Sequence, residues 1–458
     1  MCCGKGTSKQ GRWPVVLDSE RRYEMRLARL KRWIWIYFWL LIFEGVLRKW
    51  IFPGLTGPLL LIRDPVAIII YYQAYRCGKL SMRTMWPFAL LTAAMALLAC
   101  IQVSASITTL PIVLFGLRSY LLHLPLIFVI AMTLDGEDIH KFGRWLMVLS
   151  VPMMALVLAQ FNSPGSAWLN AGAWEGARQM IAAGGRVRPA GTFSYGIGVQ
   201  CLVILTAAFL LDALMHRRKY PPLLVGSALL AVIATIPLLG SRTVLFNLIA
   251  LAVFTLLSGL THGSRLVGLT KILSLLALGG LLAIQFSFFN EAMDTMKLRW
   301  QLAARAEGAF QQVLNKRVWG TIESGGEAAT VVPLLGKGIG IGSKFASAST
   351  VGNTRIWLAG EGEWERIVVE FGPVFGLLFL AARVGLAAYL VLQAFCALRR
   401  NSVLSWLLVP FVVPQIVIAF MEQPTSLGFM VFGGGMCLAA ASSLQPSPAY
   451  LILEPSAA

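Results

Sequence analysis

The sequence predicts an all-α protein, a polytopic bundle of transmembrane helices. Of its 458 residues, 57% are hydrophobic and only 13% are charged, and the mean hydropathy is +0.72. Soluble domains carry about 25% charged residues, so this composition excludes an ordinary soluble enzyme. Because a membrane helix needs about 20 apolar residues, the apolar runs predict about twelve spans. They lie at residues 33–47, 55–75, 85–103, 110–132, 145–162, 192–213, 222–239, 243–260, 267–289, 367–396, 403–420 and 425–443.

The distribution of charge predicts the orientation of these spans. The net charge of +18 comes from 39 lysines and arginines against 21 carboxylates. Basic residues gather in every second connection between predicted spans, around residues 76–83, 141–144, 217–219, 265 and 399–400. Since basic connections stay in the cytoplasm, we expect both termini there. The charge is therefore not interpreted as a nucleic-acid site.

Residues 1–32 are predicted to form a basic cytoplasmic arm. They contain no apolar stretch of the kind found in a cleavable signal. Arginines and one lysine recur from residue 21 to residue 32. The arm is either a basic helix on the anionic inner leaflet or a solvated, disordered segment.

Several charged residues lie in or beside the first predicted spans. Arg48 and Lys49 follow the first span on its outer side, where they either anchor the boundary or form a cationic rim over an anionic ligand. Arg63 and Asp64 interrupt the second span, either as a self-neutralising pair or as a candidate substrate path. His123, in the fourth span, is more typical of a packed, hydrogen-bonded histidine than of a catalytic one.

Four arginines are predicted to lie on the outer face. Arg186 and Arg188 end the loop before the sixth span, beside an expected helix amino terminus. Arginines and a helix amino terminus together suit the binding of a phosphate group. Arg242 follows a tight turn and faces either a polar cavity or lipid headgroups. Arg118 begins near the outer end of the fourth span.

The largest polar segment, residues 290–366, is predicted to be an outer loop that folds over the bundle. It contains a glycine turn at 336–342 and then Glu361, Glu363 and Glu365. These carboxylates either form the solvated first turn of the next helix, which the helix dipole favours, or act on a substrate. The glycines are expected to act as a hinge that brings Glu361 and Glu363 toward Arg188 and Arg242.

Motifs for nucleotide or metal chemistry do not occur in the sequence. The glycine turn lacks the G-x-G-x-x-G spacing, and no G-x-x-x-x-G-K-[ST] or H-E-x-x-H motif is present. The seven cysteines include no C-x-x-C pair. We therefore expect neither a cofactor nor a metal ion.

Outer arginines combined with carboxylates suit one chemistry in particular. In a lipid-linked sugar pyrophosphate, arginines can hold the leaving group as its charge develops. A carboxylate can remove the proton from an acceptor hydroxyl as that hydroxyl attacks the sugar. The pyrophosphate bond supplies the driving force, so no nucleotide is required.

Four stretches of the chain resemble a known family. They are residues 188–193, 241–243, 336–340 and 361–372. In order and spacing they are similar to the superfamily of bacterial surface polysaccharide enzymes that includes the O-antigen ligases and the Wzy-type O-antigen and exopolysaccharide polymerases. Residues 44–50 and 62–65 resemble a subgroup associated with exopolysaccharide synthesis.

The resemblance implies a GT-C-like bundle with a large periplasmic loop in the bacterial inner membrane. It implies an undecaprenyl-pyrophosphate-linked glycan as donor, a glycan acceptor, membrane lipid as a partner and a chain-length regulator as a candidate partner. Arg188 and Arg242 match arginines that bind the pyrophosphate in that family. The ligases have a histidine followed by asparagine where this chain has Glu361 and Gly362. This departure favours a polymerase-like member with Glu361 or Glu363 as base.

The predicted organisation is a basic arm at 1–32, spans one to nine at 33–289, a periplasmic loop with a re-entrant catalytic segment at 290–366, spans ten to twelve at 367–443 and a cytoplasmic tail at 444–458. An O-antigen ligase is the alternative within the family. A transporter or flippase of lipid-linked or anionic solutes is the alternative of another class. Charges inside the second span suit a transporter, but the two halves show no internal repeat.

Overall fold

The computed structural model describes residues 13–80, 82–173, 178–181, 183–215, 220–260, 279, 285–307, 310–343, 346 and 362–442. Within these ranges the protein is helical, and extended pairing is limited to two isolated β-bridges in the loop before residue 190. Nine of the described helices are long and apolar enough to cross a membrane. The chain is therefore an all-helical, multi-pass membrane protein.

Eight longer helices are described in the first half of the chain. They are α1 (Trp13–Val46), α2 (Asp64–Arg76), α3 (Met82–Ser104), α4 (Leu110–Leu117), α5 (Leu126–Thr133), α6 (Gly136–Asn162), α7 (Gly196–Met215) and α8 (Pro222–Leu239). A π-helical turn, Leu47–Ile51, follows α1, and another, Arg118–Leu122, extends α4.

The described residues of the second half form six helices. They are α9 (Arg242–Leu260), α10 (Ser287–Glu307), α11 (Phe310–Val331), α12 (Glu363–Arg399), α13 (Val403–Ile418) and α14 (Pro424–Ser442). The helices α10 and α11 occupy the segment predicted to be a large outer loop.

Nine of the twelve predicted spans coincide with helices that can cross a membrane. Of the other three, 33–47 lies inside the long helix α1, and 403–420 coincides with α13, a shorter apolar helix. The span at 267–289 falls largely outside the described residues, as does the tail at 444–458. The count of twelve therefore stays a prediction.

Contacts between helix ends define two ends of the bundle. At one end Lys31 of α1 binds both Asp135 and Asp138, where α6 begins with a capping box. Because Asp135 and Asp138 each accept the other's backbone N–H, this helix start is fixed by sequence. Following the orientation predicted from the charge distribution, we call this the inner end. At the opposite, outer end, the π-turn after α1 contacts the segment before α7.

Helix α14 lies in the core of the bundle and is almost entirely buried. Its glycines permit this close packing: Gly433 lies against Phe411 of α13, and Gly434 and Gly435 lie against Ile127 and Ile130 of α5. Small residues at such interfaces let helices approach closely in a membrane.

Helix α12 is broken near its start. Gly372 has φ +79° and ψ 169°, a conformation that favours glycine, and Pro373 lacks the N–H that a continuous helix needs at that position. The residues from Glu363 to Phe371 are thus a separate helical segment. The glycine turn packs against this segment, with the Lys337 N–H donating to the carbonyl of Val369 at 2.8 Å.

Candidate functional site at the outer end

The glycine turn binds a carboxylate of the protein itself. The backbone N–H groups of Gly340 and Gly342 donate to the two side-chain oxygens of Glu370, at 2.9 and 3.0 Å. A side chain at residue 340, where φ is +83°, would overlap the carbonyl of Ile112. Gln102 holds the turn from the other side, accepting from the Ile339 N–H at 2.9 Å. The turn therefore folds into the bundle as an anion cradle, and Glu370 is the anion it binds.

Glu370 belongs to a buried network of charged side chains. Arg366 donates to Glu370 at 3.2 Å and to Glu422 at 2.7 Å, and also to the hydroxyl of Tyr120 at 3.2 Å. Arg383 donates to Glu363 at 3.1 Å. We call Glu363, Arg366, Glu370, Arg383 and Glu422 the carboxylate network; it contains three carboxylates and two guanidinium groups.

Two of these three carboxylates are sealed from the surface. The side chains of Glu363 and Glu370 are both 0% exposed, whereas that of Glu422 is 15% exposed. Oε1 of Glu363 also accepts the N–H of Met421 at 3.0 Å, while its Oε2 is buried without a hydrogen-bond partner. The interpretation of Glu363 as a solvated helix start is therefore wrong, because the break at Gly372 turns this segment into the protein. Glu361 lies outside the described residues.

A second group of buried charges lies where α1 ends. Arg48 donates to Glu44 at 3.3 Å and to the hydroxyl of Ser194 at 3.0 Å, and Arg63 donates to Glu44 at 3.1 Å. The amine of Lys49 donates to the carbonyl of Gly191 at 2.6 Å. We call Glu44, Arg48, Lys49 and Arg63 the cationic cluster. All four are at most 4% exposed.

The cationic cluster carries three basic groups and one carboxylate in a buried environment. Burial lowers the pKa of Lys49 to about 7, because a charged amine is unstable away from water. The neighbouring residues Ile51 and Phe52 are about half exposed and suit the interfacial belt. Arg48 and Lys49 face the protein interior and therefore do not anchor the boundary, a role that suits Ile51 and Phe52. The interpretation of Arg48 and Lys49 as a cationic rim over an anionic ligand stays a prediction.

Arg63 and Asp64 do not neutralise each other, so that interpretation is wrong. Arg63 binds Glu44 and the carbonyl of Pro424, whereas Asp64 binds Arg118. Adjacent residues at a helix start point about 100° apart, so the two side chains reach different neighbours. Each residue ties α2 to other parts of the bundle.

Arg118 and His123 are both held by Asp64. Arg118 also donates to the carbonyl of Leu60 at 3.0 Å. One ring nitrogen of His123 lies 3.0 Å from Asp64 and the other 3.1 Å from the hydroxyl of Tyr37, and the ring is 1% exposed. His123 is thus a packed, hydrogen-bonded histidine. The role predicted for Arg118 in binding pyrophosphate stays a prediction, and its side chain is engaged by Asp64.

The structure places Arg188 and Arg242 near the amino-terminal turns of α7. The Arg188 side chain lies beside Gly196, the first residue of that helix. Ser241, next to Arg242, donates to Gln200 of α7 at 3.0 Å. Because Gly196 and Gln200 are separated by about 6 Å along the helix axis, both arginines belong to one region of the outer end. Their proximity to Glu361 and Glu363 stays a prediction.

Arg186 and Arg299 connect helix α10 to this region. Arg186 forms an ion pair with Glu291 and lies 5.3 Å from the centre of the Phe161 ring. Arg299 donates to the carbonyl of Leu239 at 2.8 Å, and burial together with the charge of Arg242 lowers its pKa. The sequence analysis gave Arg299 no role in the site.

The sequence-based site lacked several residues of the carboxylate network: Arg366, Glu370, Arg383, Glu422 and the adjoining Tyr120. A signal for Arg383 was present, because it is a charged residue inside an apolar run. In the described parts of the chain, no group of three or more His, Cys, Asp or Glu side chains could hold a metal ion. Comparisons with protein-family models, curated proteins and solved structures found no match.

Proposed function

We propose that this protein is a glycosyltransferase of the bacterial inner membrane. It polymerises or transfers oligosaccharide units carried on undecaprenyl pyrophosphate, at the periplasmic face, without a metal ion or cofactor. The observation that carries the proposal is the buried cationic cluster beside Arg188 and the amino terminus of α7.

Convergent buried basic groups support binding of an anionic ligand. Arg48 and Arg63 share the carboxylate of Glu44, and Lys49, whose pKa is lowered by burial to about 7, gains charge when an anion lies beside it. Helix amino termini add free N–H groups and a positive dipole, which favour phosphate. Arg242 and Arg299 extend the positive region along α7 and α8. A lipid pyrophosphate carries two phosphate groups and fits such a surface.

The carboxylate network supports the other half of the reaction. The connection between α13 and α14, together with the first residue of α14, contacts both groups of charges, because the carbonyl of Pro424 accepts from Arg63 while Glu422 accepts from Arg366. In the transfer, the acceptor oxygen forms a bond to the anomeric carbon. The bond from that carbon to the pyrophosphate breaks, and its electrons leave with the lipid pyrophosphate. A carboxylate takes the hydroxyl proton, a role assigned from the sequence to Glu361 or Glu363.

A transporter or flippase remains the alternative of a different class, and a specific observation favours it. Asp64, Arg118, His123 and Tyr37 form a connected polar chain inside the membrane-spanning helices, where transport paths are often found. A transporter moves lipid-linked substrate across a vesicle membrane and leaves its glycan length unchanged. The proposed transferase changes that length.

The test uses the full-length protein in lipid nanodiscs with a lipid-pyrophosphate oligosaccharide and no nucleotide or metal. We expect products longer by whole repeat units, detected by mass spectrometry. Arg188→Ala and Arg242→Ala should each reduce the rate about 100-fold or more, the usual effect of removing a group that stabilises the developing charge. Arg178→Ala, at an exposed arginine of the same outer loop, is the matched control and should elongate normally.

Two results contradict different parts of the proposal. Wild-type rates in both arginine variants would exclude the proposed pyrophosphate site. Unchanged glycan length with the wild-type protein, tested with lipid-linked and lipid A acceptors, would exclude the transferase function. Transfer to lipid A alone would identify a ligase instead of a polymerase.

A further inference from the structure

We infer that Glu422 is the catalytic carboxylate that accepts the proton of the acceptor hydroxyl. This inference rests on the proposed glycosyl transfer and assigns the base to a residue outside the sequence motifs. Glu422 lies in the short connection between α13 and α14, at the outer end of the bundle.

Accessibility separates Glu422 from the other carboxylates of the network. The two oxygens of Glu370 are occupied by the backbone of the glycine turn and by Arg366. Glu363 has no exposed side-chain surface and is fixed by Arg383 and the Met421 N–H. A base must come within about 3 Å of the proton donor, so it needs an approach for substrate. Of the three carboxylates in this network, Glu422 is the one whose side chain is partly exposed.

Arg366 positions the carboxylate of Glu422 for this role. Its hydrogen bond to Glu422 is 2.7 Å long and holds the carboxylate in place during the transfer. The guanidinium group of Arg366 is itself fixed by Glu370 and by the hydroxyl of Tyr120, each at 3.2 Å.

The position of Glu422 also places it beside the proposed donor site. Pro424, two residues further along, contacts Arg63 of the cationic cluster. Two residues of extended chain cover about 7 Å at most, so the base and the cationic cluster are close neighbours. An acceptor hydroxyl at Glu422 can therefore meet a sugar whose pyrophosphate lies against the cationic cluster.

The chemical step is balanced with the groups named. The acceptor oxygen forms the new bond to the anomeric carbon, and the bond to the pyrophosphate oxygen breaks with its electron pair. The hydroxyl proton moves to an oxygen of Glu422. Release of that proton to water then restores the carboxylate for the next transfer.

The test compares Glu422→Gln and Glu422→Asp with the wild-type protein in the nanodisc elongation assay. Glutamine keeps the size of the side chain but does not act as a base, so we expect kcat to fall about 100-fold or more with an unchanged KM for the donor. The acidic limb of the pH–rate profile should also disappear. Aspartate keeps the charge and should retain part of the rate and an acidic limb. Glu327→Gln, at an exposed carboxylate of α11, is the matched control.

A structural role gives a different pattern, because a loss of packing raises KM, lowers the thermal midpoint and leaves the shape of the pH profile unchanged. That pattern, or a kcat for Glu422→Gln within threefold of the wild type, overturns the inference. If the glutamine variant does not fold, a wild-type kcat in the aspartate variant overturns it as well, because the shorter side chain withdraws the carboxylate from the acceptor hydroxyl. In each case normal elongation by the wild-type protein, and its loss in Arg188→Ala, leave the proposed function intact.

Discussion

The ion pair between Glu363 and Arg383 gives a direct test of how the bundle holds its buried charge. Both side chains are at most 1% exposed, and they lie 20 residues apart on opposite sides of the break in α12. Replacing Arg383 with Met removes the cation and leaves the Glu363 carboxylate in the interior. We expect the single variant to be strongly destabilised. The double variant Glu363→Met with Arg383→Met should recover much of the loss.

The magnitude follows from the contacts of the two residues. Leaving one partner of a buried ion pair without the other lowers the free energy of unfolding by about 3–5 kcal/mol. Replacing both charges with apolar groups removes that penalty. Arg383 also donates to the carbonyls of Ile416 and Ala419 at 2.7 and 2.9 Å. Losing each of those bonds reduces stability by about 1 kcal/mol. Arg383→Met should therefore be about 5–7 kcal/mol less stable than the wild type. The double variant also loses the bond from the Met421 N–H to Glu363, so it should be about 3 kcal/mol less stable than the wild type and about 2–4 kcal/mol more stable than Arg383→Met.

The assay is reversible unfolding of the purified protein in mixed micelles, analysed as a double-mutant cycle with both single variants. Polar partners available to the unfolded chain in a membrane reduce such energies, so the sign of the coupling matters more than its size. Equal stability of Arg383→Met and the double variant would refute the reasoning. It would mean that the Glu363 carboxylate does not depend on Arg383.

Two further predictions concern stability at opposite ends of the bundle. Gly372→Ala should lower the unfolding free energy by at least about 1 kcal/mol, since the φ of Gly372 is +79° and an added side chain would overlap the carbonyl of Leu334. The control Gly326→Ala, in open space on α11, should be neutral or stabilising. Equal effects of the two variants on the thermal midpoint would contradict this prediction. For the second, burial opposes charge on Lys31 and on Asp135, but their hydrogen bonds outweigh it, raising the pKa of Lys31 and lowering that of Asp135. The contribution of Lys31 to the free energy of unfolding is thus fully present below pH 10.5 and is lost as the pH rises through the higher pKa of the folded state. The contribution of Asp135 is present above pH 3.8 and is lost as the pH falls through the lower pKa of the folded state. Lys31→Met should therefore reduce stability by about 0.5–1 kcal/mol at pH 7 and by less at either extreme, and a constant difference across a pH series would disprove the linkage.

The fold class was readable from the sequence because lipid imposes a simple rule. A helix that crosses a membrane satisfies its own backbone groups and needs a continuous apolar run, so composition and run length locate it. Composition and run length do not locate shorter or charged segments in this way. Helix α13 has 16 residues, and α1 continues through a strongly basic stretch, so neither matches a simple span.

The site was readable only in part, because pairing depends on three-dimensional contacts. The glycines at 336–342 were expected to act as a hinge, and sequence does not tell that their backbone binds the carboxylate of Glu370, thirty residues away from Gly340. Arg63 and Asp64 are adjacent, which suggested a local pair, yet each has its partner on another helix. Arginines near a helix amino terminus were found from local pattern alone, and the structure places Arg188 beside such a terminus.

The two groups of buried charge meet at one point of the bundle. Arg63 of the cationic cluster donates to the carbonyl of Pro424, the first residue of α14, and Arg366 of the carboxylate network donates to Glu422, two residues earlier. Two residues of extended chain cover about 7 Å at most, so the two groups are close neighbours. In the proposed reaction, contacts between the pyrophosphate and the cationic cluster would therefore hold the anomeric carbon of the donor near an acceptor hydroxyl at Glu422. Positioning of this kind lowers the barrier to transfer because the reacting atoms are already in place.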